Sequence, residues 1–320
     1  MININSILKC FPMKVVKKID EFFTINNSNL NNLEEIRIRV NKPILLKFGQ
    51  TESLIEYIVN SEEILETLQH ICDNSIYSFQ SQICNGYITL RGGHRVGIAG
   101  NAVVKEGTVI NIAYVSSINI RVAKQVIGAS DKILKYVLDI GENSVHNTLI
   151  VSPPGAGKTT LIRDLVRRVS NGIEPLNFKG INVGVVDERG EIAAMYKGIP
   201  QNDIGTRTDV LDNIPKYLGM TMLIRSMSPQ VIVADEIGSS QDVESIRYAV
   251  CSGVKGIFTA HGASIEDIKL NPAINQLIEN YTFDRIIFLN DREKKGKPSK
   301  IYALNKVEKQ YYQLEIKEEK

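Results

Sequence analysis

The sequence is short of cysteine, of long apolar runs and of net charge, and each shortage removes a class of protein. Four cysteines, Cys10, Cys72, Cys84 and Cys251, stand far apart among 320 residues, and no pair has metal-ligand spacing with a histidine. Neither a disulfide framework nor a structural zinc site is expected, and reduced thiols fit a reducing cytosol. Cys72 and Cys251 fall in apolar helical patterns, where a small buried thiol is expected. The longest apolar runs, such as Val231–Ala234 and Ile286–Leu289, are strand-sized. A membrane-spanning helix needs about 20 such residues. Met1 to Phe11 has neither a long apolar core nor a small-residue cleavage site, so no signal peptide is expected. The expected location is cytoplasmic, with membrane contact only through partners. Lys plus Arg (38) nearly balance Asp plus Glu (36), which argues against a protein that coats nucleic acid.

What is present is ample for folding: 43% hydrophobic residues in a chain long enough for two domains. From Ser61 to Cys72, Ile64, Leu65, Leu68, Ile71 and Cys72 recur with helical period behind Asn60 and Glu63, a capping signature. A second short helical pattern holds Ile76, Phe79 and Ile83 and stops at Asn85-Gly86. Strand-like runs follow at Tyr87–Arg91, Arg95–Val104 and Ile118–Ala123. This half reads as a smaller α+β domain, residues 1–125.

After Ala129 the pattern alternates. A helix is expected over Asp131–Ile140, and strands at Asn147–Val151, Ile181–Val186, Val231–Asp235 and Gly256–Thr259. Strands separated by helices imply an α/β fold with a mainly parallel sheet, residues 126–320. Three strands, Asp284–Leu289, Lys300–Leu304 and Tyr311–Ile316, end it as a hairpin extension.

Ser152-Pro-Pro154-Gly155-Ala156-Gly157-Lys158-Thr159-Thr160 follows a strand and opens a helix, the context that a P-loop demands. Gly155 and Gly157 let successive amides face one anion, and the helix start adds its unpaired N–H groups. Residues 154–160 are thus the expected phosphate cradle, with Lys158 on the β and γ phosphates and the Thr159 hydroxyl on Mg²⁺. Ser152 stands where the motif has its first glycine, and a serine tolerates that turn less easily.

Val231-Ile-Val-Ala-Asp235-Glu236 ends an apolar strand in two carboxylates. Asp235 is expected to hold Mg²⁺ and Glu236 to orient or deprotonate the attacking water. Val185-Val186-Asp187-Glu188-Arg189 is a second acidic strand end, and Glu188 is assigned a supporting catalytic role there. Thr259 and His261, at a third strand end, are placed to sense the γ-phosphate. His94, beside Gly92-Gly93, reads as an ordinary turn histidine. Arg189, Arg207 and Arg225 are candidates to reach a neighbouring subunit's γ-phosphate, with Arg225 taken as catalytic. The basic cluster Lys294, Lys295, Lys297 and Lys300 lacks interleaved aromatics and reads as a solvated hairpin tip.

Together the P-loop, the acidic strand ends, Leu223-Ile-Arg225-Ser-Met-Ser-Pro229 and Thr259-x-His261 resemble the secretion ATPases of type II and type IV systems. More closely, the chain resembles the sporulation stage III AA family of endospore-forming bacteria. Gly86-Tyr-Ile-Thr-Leu-Arg-Gly-Gly-His-Arg95, Ser117-Ile-Asn-Ile-Arg121, Asp187-Glu-Arg-Gly-Glu191 and Asp203-Ile-Gly-Thr-Arg207 carry that resemblance. It implies a RecA-like P-loop core, a homo-hexameric ring, ATP and Mg²⁺ as ligands, and integral membrane proteins of a sporulation channel as partners. It also implies work on the mother-cell side of that channel, and a place for Arg121 near the nucleotide. Two other classes compete. A nucleic-acid motor predicts turnover stimulated by DNA, but nucleic acid is not an expected partner; a scaffold that binds ATP predicts scarcely any turnover. No motif separates ATP from GTP.

Overall fold

Two of the first unit's strands carry interruptions that hide them from pattern reading, yet they complete its sheet. The computed structural model describes residues 4–26, 32–289 and 296–316. Lys294 and Lys295 of the basic cluster lie outside the described residues. The chain divides into two compact units, Met1–Lys124 with Ala194–Asn202, and Gln125–Ala193 with Asp203–Lys320.

In the first unit six strands form one antiparallel sheet: β1 (Leu33–Arg39), β2 (Lys42–Phe48), β3 (Thr51–Val59), β4 (Tyr87–Thr89), β5 (Arg95–Lys105) and β6 (Thr108–Arg121), in the order β3-β2-β1-β6-β5-β4. The sequence pattern predicts no strand before Tyr87. The register shifts between Leu33 and Glu35 and again between Pro43 and Ile44, so the period-two alternation is broken where it would have been read. The unit's helices are α1 (Ile4–Leu8), α2 (Met13–Asn26), α3 (Ser61–Ile71) and α4 (Gln80–Cys84). α3 starts as expected: the Asn60 side chain accepts from the Glu63 amide at 2.9 Å, and the Asn60 amide donates to the Glu63 carboxylate at 3.0 Å. Val15, Ile19, Ile64, Leu68 and Ile71 from the helices share one core with Ile36, Ile38, Ile118 and Ile120 from the sheet.

His94 is not an ordinary turn residue. It is buried, its Nδ1 accepts from the Ala123 amide at 3.1 Å, and burial pulls its pKa below the usual range. A Cβ on Gly92 would meet its ring at 2.9 Å, which is why glycine stands there. Ala194–Asn202, although late in the chain, is a hairpin of this unit. Asp73 Oδ2 accepts from the Tyr196 hydroxyl at 2.8 Å and from Lys197 Nζ at 2.7 Å. Gln201 Oε1 accepts from the Gly92 amide at 2.8 Å.

In the second unit each central strand is a short run of β-branched and aliphatic residues buried on both faces. The strands are β7 (Thr148–Ser152), β8 (Val183–Asp187), β9 (Thr208–Asp212), β10 (Val231–Ala234), β11 (Lys255–His261), β12 (Arg285–Leu289), β13 (Pro298–Asn305) and β14 (Gln310–Leu314). Their order is β9-β8-β10-β11-β7-β12-β13-β14, parallel through β12 and antiparallel thereafter. Helices α5 (Asp131–Val137), α6 (Lys158–Asn171), α7 (Lys216–Met227), α8 (Ser240–Cys251), α9 (Ile265–Lys269) and α10 (Pro272–Glu279) alternate with them. α5 stops before the expected Ile140, because Leu138 turns extended and Leu138–Asp139 pairs with Ser144–Val145. Cys72 is buried as expected, but Cys251 is exposed. The buried face of α8 runs through Val243, Ile246 and Ala249, and Cys251 sits well round the helix from it. No helix among the described residues is long and apolar enough to cross a membrane.

Candidate nucleotide site

β7 ends at Ser152, fully buried, and the chain then turns sharply into α6. Gly155 and Gly157 take φ of 79° and 95°, where a side chain would be strained. Ser152 is not among the residues of positive φ, so its Cβ does not oppose the turn, contrary to expectation. Pro154 and Ala156 space the two glycines, and the Ala156 carbonyl accepts from the Gly296 amide at 3.1 Å. Gly157 is the N-cap of α6 and no side chain caps it, so the first turn, Lys158-Thr159-Thr160, presents its amides as an anion site does.

Lys158 is buried, and every partner of its ammonium is neutral. Nζ donates to the Ser152 carbonyl at 2.9 Å, the Ser152 hydroxyl at 3.2 Å and the Pro153 carbonyl at 3.4 Å. It also meets His261 Nδ1 at 3.1 Å. Burial lowers its pKa, and only the more distant charges of Asp235 and Glu236 oppose that.

Strand order explains which groups meet. β11 lies between β7 and β10, so about two strand spacings separate the P-loop strand from the acidic one. Thr259 and His261, on β11, fill that gap. Thr259 Oγ1 donates to Asp235 Oδ1 and accepts from the Glu236 amide at 2.8 Å. Thr159 Oγ1 donates to the other Asp235 oxygen at 2.7 Å. His261 spans Lys158 and Glu236, with Nε2 2.9 Å from Glu236 Oε1. Since an ammonium can only donate, Nδ1 accepts and Nε2 carries the hydrogen given to Glu236. Glu236 takes a left-handed φ of 55°, where its amide donates a hydrogen bond to the Thr259 hydroxyl, and its second oxygen is ion-paired with Arg189.

Asp187 sits beside Asp235 on the neighbouring strand but is turned elsewhere. Its buried carboxylate accepts from the amides of Glu191, Ile192 and Ala193 at 2.8 to 3.1 Å and shapes the loop after β8. Glu188 is ion-paired with Lys216 at the start of α7. Asp187, Glu188, Arg189, Lys216, Asp235 and Glu236 line one small cleft. Arg225 is not brought to it; its guanidinium lies 5.7 Å over the Tyr248 ring. Arg207 donates to the Ser170 carbonyl at 3.1 Å. In the first unit Arg121 faces Glu35 across 3.9 Å.

Two residues of α6 escaped sequence reading. Arg163 donates to the carbonyls of Glu191 at 2.6 Å and Ile192 at 2.9 Å, tying the P-loop helix to the loop that Asp187 shapes. Asp164 is buried and accepts from the Ser130 hydroxyl at 2.7 Å and the Ser130 amide at 2.9 Å. An acid between Ile162 and Leu165 of an apolar stripe was the available signal.

The donor set fits a magnesium nucleotide. No group of three or more His, Cys, Asp or Glu among the described residues is placed to hold a metal by protein ligands alone. Mg²⁺ ordinarily takes one or two protein oxygens with phosphates and water, and Thr159 and Asp235 supply a facing pair.

Stage III sporulation protein AA of Bacillus subtilis is 40% identical over 299 residues, 93% of this chain and 94% of that protein. The protein ycf45 of Porphyra purpurea is 28% identical over 70% of this chain and 36% of its own length. Among solved structures, the Legionella pneumophila ATPase DotB matches with TM-score 0.54 and 14% identity, over 93% of this chain and 79% of that one. The pilus retraction motor PilT with bound ADP matches with TM-score 0.57 and 14% identity, over 83% and 76%. At such identity these two likenesses bear on the fold, an α/β fold of the P-loop secretion-ATPase type. The family described as sporulation stage III, protein AA, matches residues 5–308. By that span and by the likeness to the Bacillus subtilis protein, the chain belongs to the sporulation stage III AA family.

Proposed function

We propose that this protein binds ATP with Mg²⁺ at the α6 turn and hydrolyses it, working as a ring of identical subunits, expected to be a hexamer. The observation that carries the reading is Lys158: a buried ammonium with neutral partners only, beside open helix amides and next to paired acids. A triphosphate supplies the missing negative charge. Residues 154–160 then wrap the phosphates through their amides, and Lys158 gives up its carbonyl bonds for phosphate oxygens. Thr159 and Asp235 hold Mg²⁺, which when bound neutralises the charge of the β and γ phosphates. Glu236 orients the attacking water and takes its proton. Arg189 occupies the second carboxylate oxygen of Glu236 while they are paired, so that pair parts before turnover. His261 loses its donor when Lys158 turns to phosphate, and its hold on Glu236 changes with the state of the γ-phosphate. Glu188 supports the water through the same cleft, and Arg225 acts on a neighbouring copy.

By the family's name, the work belongs to sporulation. Turnover would energise or assemble a membrane channel, from the mother-cell cytoplasm and through integral membrane partners. Phosphate release by wild type, Lys158→Ala and Glu236→Gln tests the core of this. Lys158→Ala should lose nucleotide binding and turnover with the fold kept. Glu236→Gln should keep binding and lose turnover by about 10²- to 10⁴-fold. Equal, near-zero rates in wild type and Glu236→Gln would instead favour a nucleotide-binding scaffold.

A further inference from the structure

The first unit holds a cavity of about 700 Å³, apart from every residue assigned to nucleotide chemistry. Lys9 follows α1 on one wall. His70 and Asp73 come from the end of α3, Arg91 from the turn between β4 and β5, and Tyr196 and Lys197 from the 194–202 hairpin.

The charges on these walls do not cancel. Asp73 is already engaged, accepting from both Tyr196 and Lys197. Lys9 and Arg91 make no hydrogen bond or ion pair among the described residues. The Nδ1 of His70 is buried without a partner, while its Nε2 lies 3.9 Å from Glu66. Two unmatched cations therefore line one concave space. Surface lysines are usually solvated and isolated, but a concave wall of one sign focuses its field and concentrates anions. The volume falls in the range of small-molecule sites, large enough for a ligand of nucleotide size. A monoanion would balance only one of the two cations, whereas a phosphate or diphosphate group balances both. Phosphate oxygens also match an Arg fork and a Lys point charge.

We propose that this cavity binds a small phosphate-bearing molecule, with Lys9 and Arg91 holding the phosphate groups. The site is independent of the nucleotide site and stands or falls without it.

The test is calorimetric titration of the full chain carrying Lys158→Ala, in EDTA, so that binding at the P-loop is suppressed. The probes are inorganic pyrophosphate, adenosine monophosphate and, as a carboxylate control, citrate. Saturable binding of pyrophosphate or the nucleotide is expected, and the tighter of the two tells free from organic phosphate. Adding Lys9→Ala and Arg91→Ala, both at exposed positions, should weaken it at least about tenfold. Circular dichroism of that variant checks its fold. The proposal is overturned if neither phosphate probe binds below about 1 mM. It is equally overturned if the added substitutions leave the affinity unchanged or if citrate binds as tightly.

Discussion

Ser152 ends β7 with its hydroxyl donating to the Pro153 carbonyl at 2.9 Å and standing 3.2 Å from the Lys158 ammonium. The glycine usual at this place would add backbone freedom without relieving any strain, since the serine backbone is ordinary. Ser152→Gly should therefore change ATP affinity by no more than about threefold and lower Tm by about 2 °C. Titration with a fluorescent nucleotide decides; a gain beyond about tenfold would mean that serine does hinder the turn. Asp164 is a sharper case. Burial by itself raises its pKa, but the Ser130 hydroxyl and amide, Arg167 and Gly128 together outweigh that and leave it below 3.8. Between the native pKa and 3.8 the unfolded chain binds more protons, so stability rises with pH through that window and is complete above it. Asp164→Ala should cost about 3 kcal/mol, because it strands Arg167 and Ser130. The gap between wild type and Asp164→Asn in denaturant should stay constant near neutral pH. It should close as the pH falls through the native pKa of Asp164; a gap independent of pH would refute the assignment.

Elements were legible where one periodicity ran unbroken. The stripe Leu161, Ile162, Leu165, Val166 and Val169 announced α6, and all five are buried. Apolar runs placed β7, β8, β10 and β11 to within a few residues. Strands β1 and β2 were not legible, since bulges break their alternation and Pro43 and Lys42 stand at the start of β2. The outer half of β5 exposes every residue and that of β6 buries none, so no burial pattern marks their length. At the site, motifs placed Lys158, Thr159, Asp235 and Glu236 on strand ends. That His261 bridges Lys158 and Glu236 depended on strand order, which spacing along the chain does not encode. Gly219, in the first turn of α7, was likewise silent in the sequence. A Cβ there would lie 2.5 Å from Val186 Cγ1 on β8 and 3.0 Å from Ile214 Cγ2. Alanine gains about 1 kcal/mol in helix propensity but overpacks at a cost of about 1 to 3 kcal/mol. Gly219→Ala should thus destabilise on balance, and Val186→Ala in the same chain should recover part of the loss. Denaturant melts of the four proteins of this cycle check it; simple additivity would show that α7 does not rest on β8 through Gly219.

At the scale of the whole molecule, the second unit gathers the residues proposed for nucleotide chemistry around one turn and cleft, Arg225 excepted. Arg189 neutralises Glu236 within the chain, while Arg225 makes no hydrogen bond or ion pair to any site residue among those described. Arg225 stands in the last turn of α7, over the Tyr248 ring, about 14 Å along the helix from Lys216, which lines the cleft. If it stabilises charge developing on a γ-phosphate, it must do so in another copy. That requirement has a test that a residue of purely structural value would fail. Arg225→Ala and Lys158→Ala should each be inactive alone, the first lacking the donor in trans and the second lacking the cradle. Mixed in equal amounts at concentrations that favour assembly, half of the subunits keep the cradle and half of their neighbours keep the arginine. About a quarter of wild-type turnover should return. Dilution below the assembly concentration should abolish the recovery. No recovery in the assembled mixture would show that Arg225 serves its own chain or none.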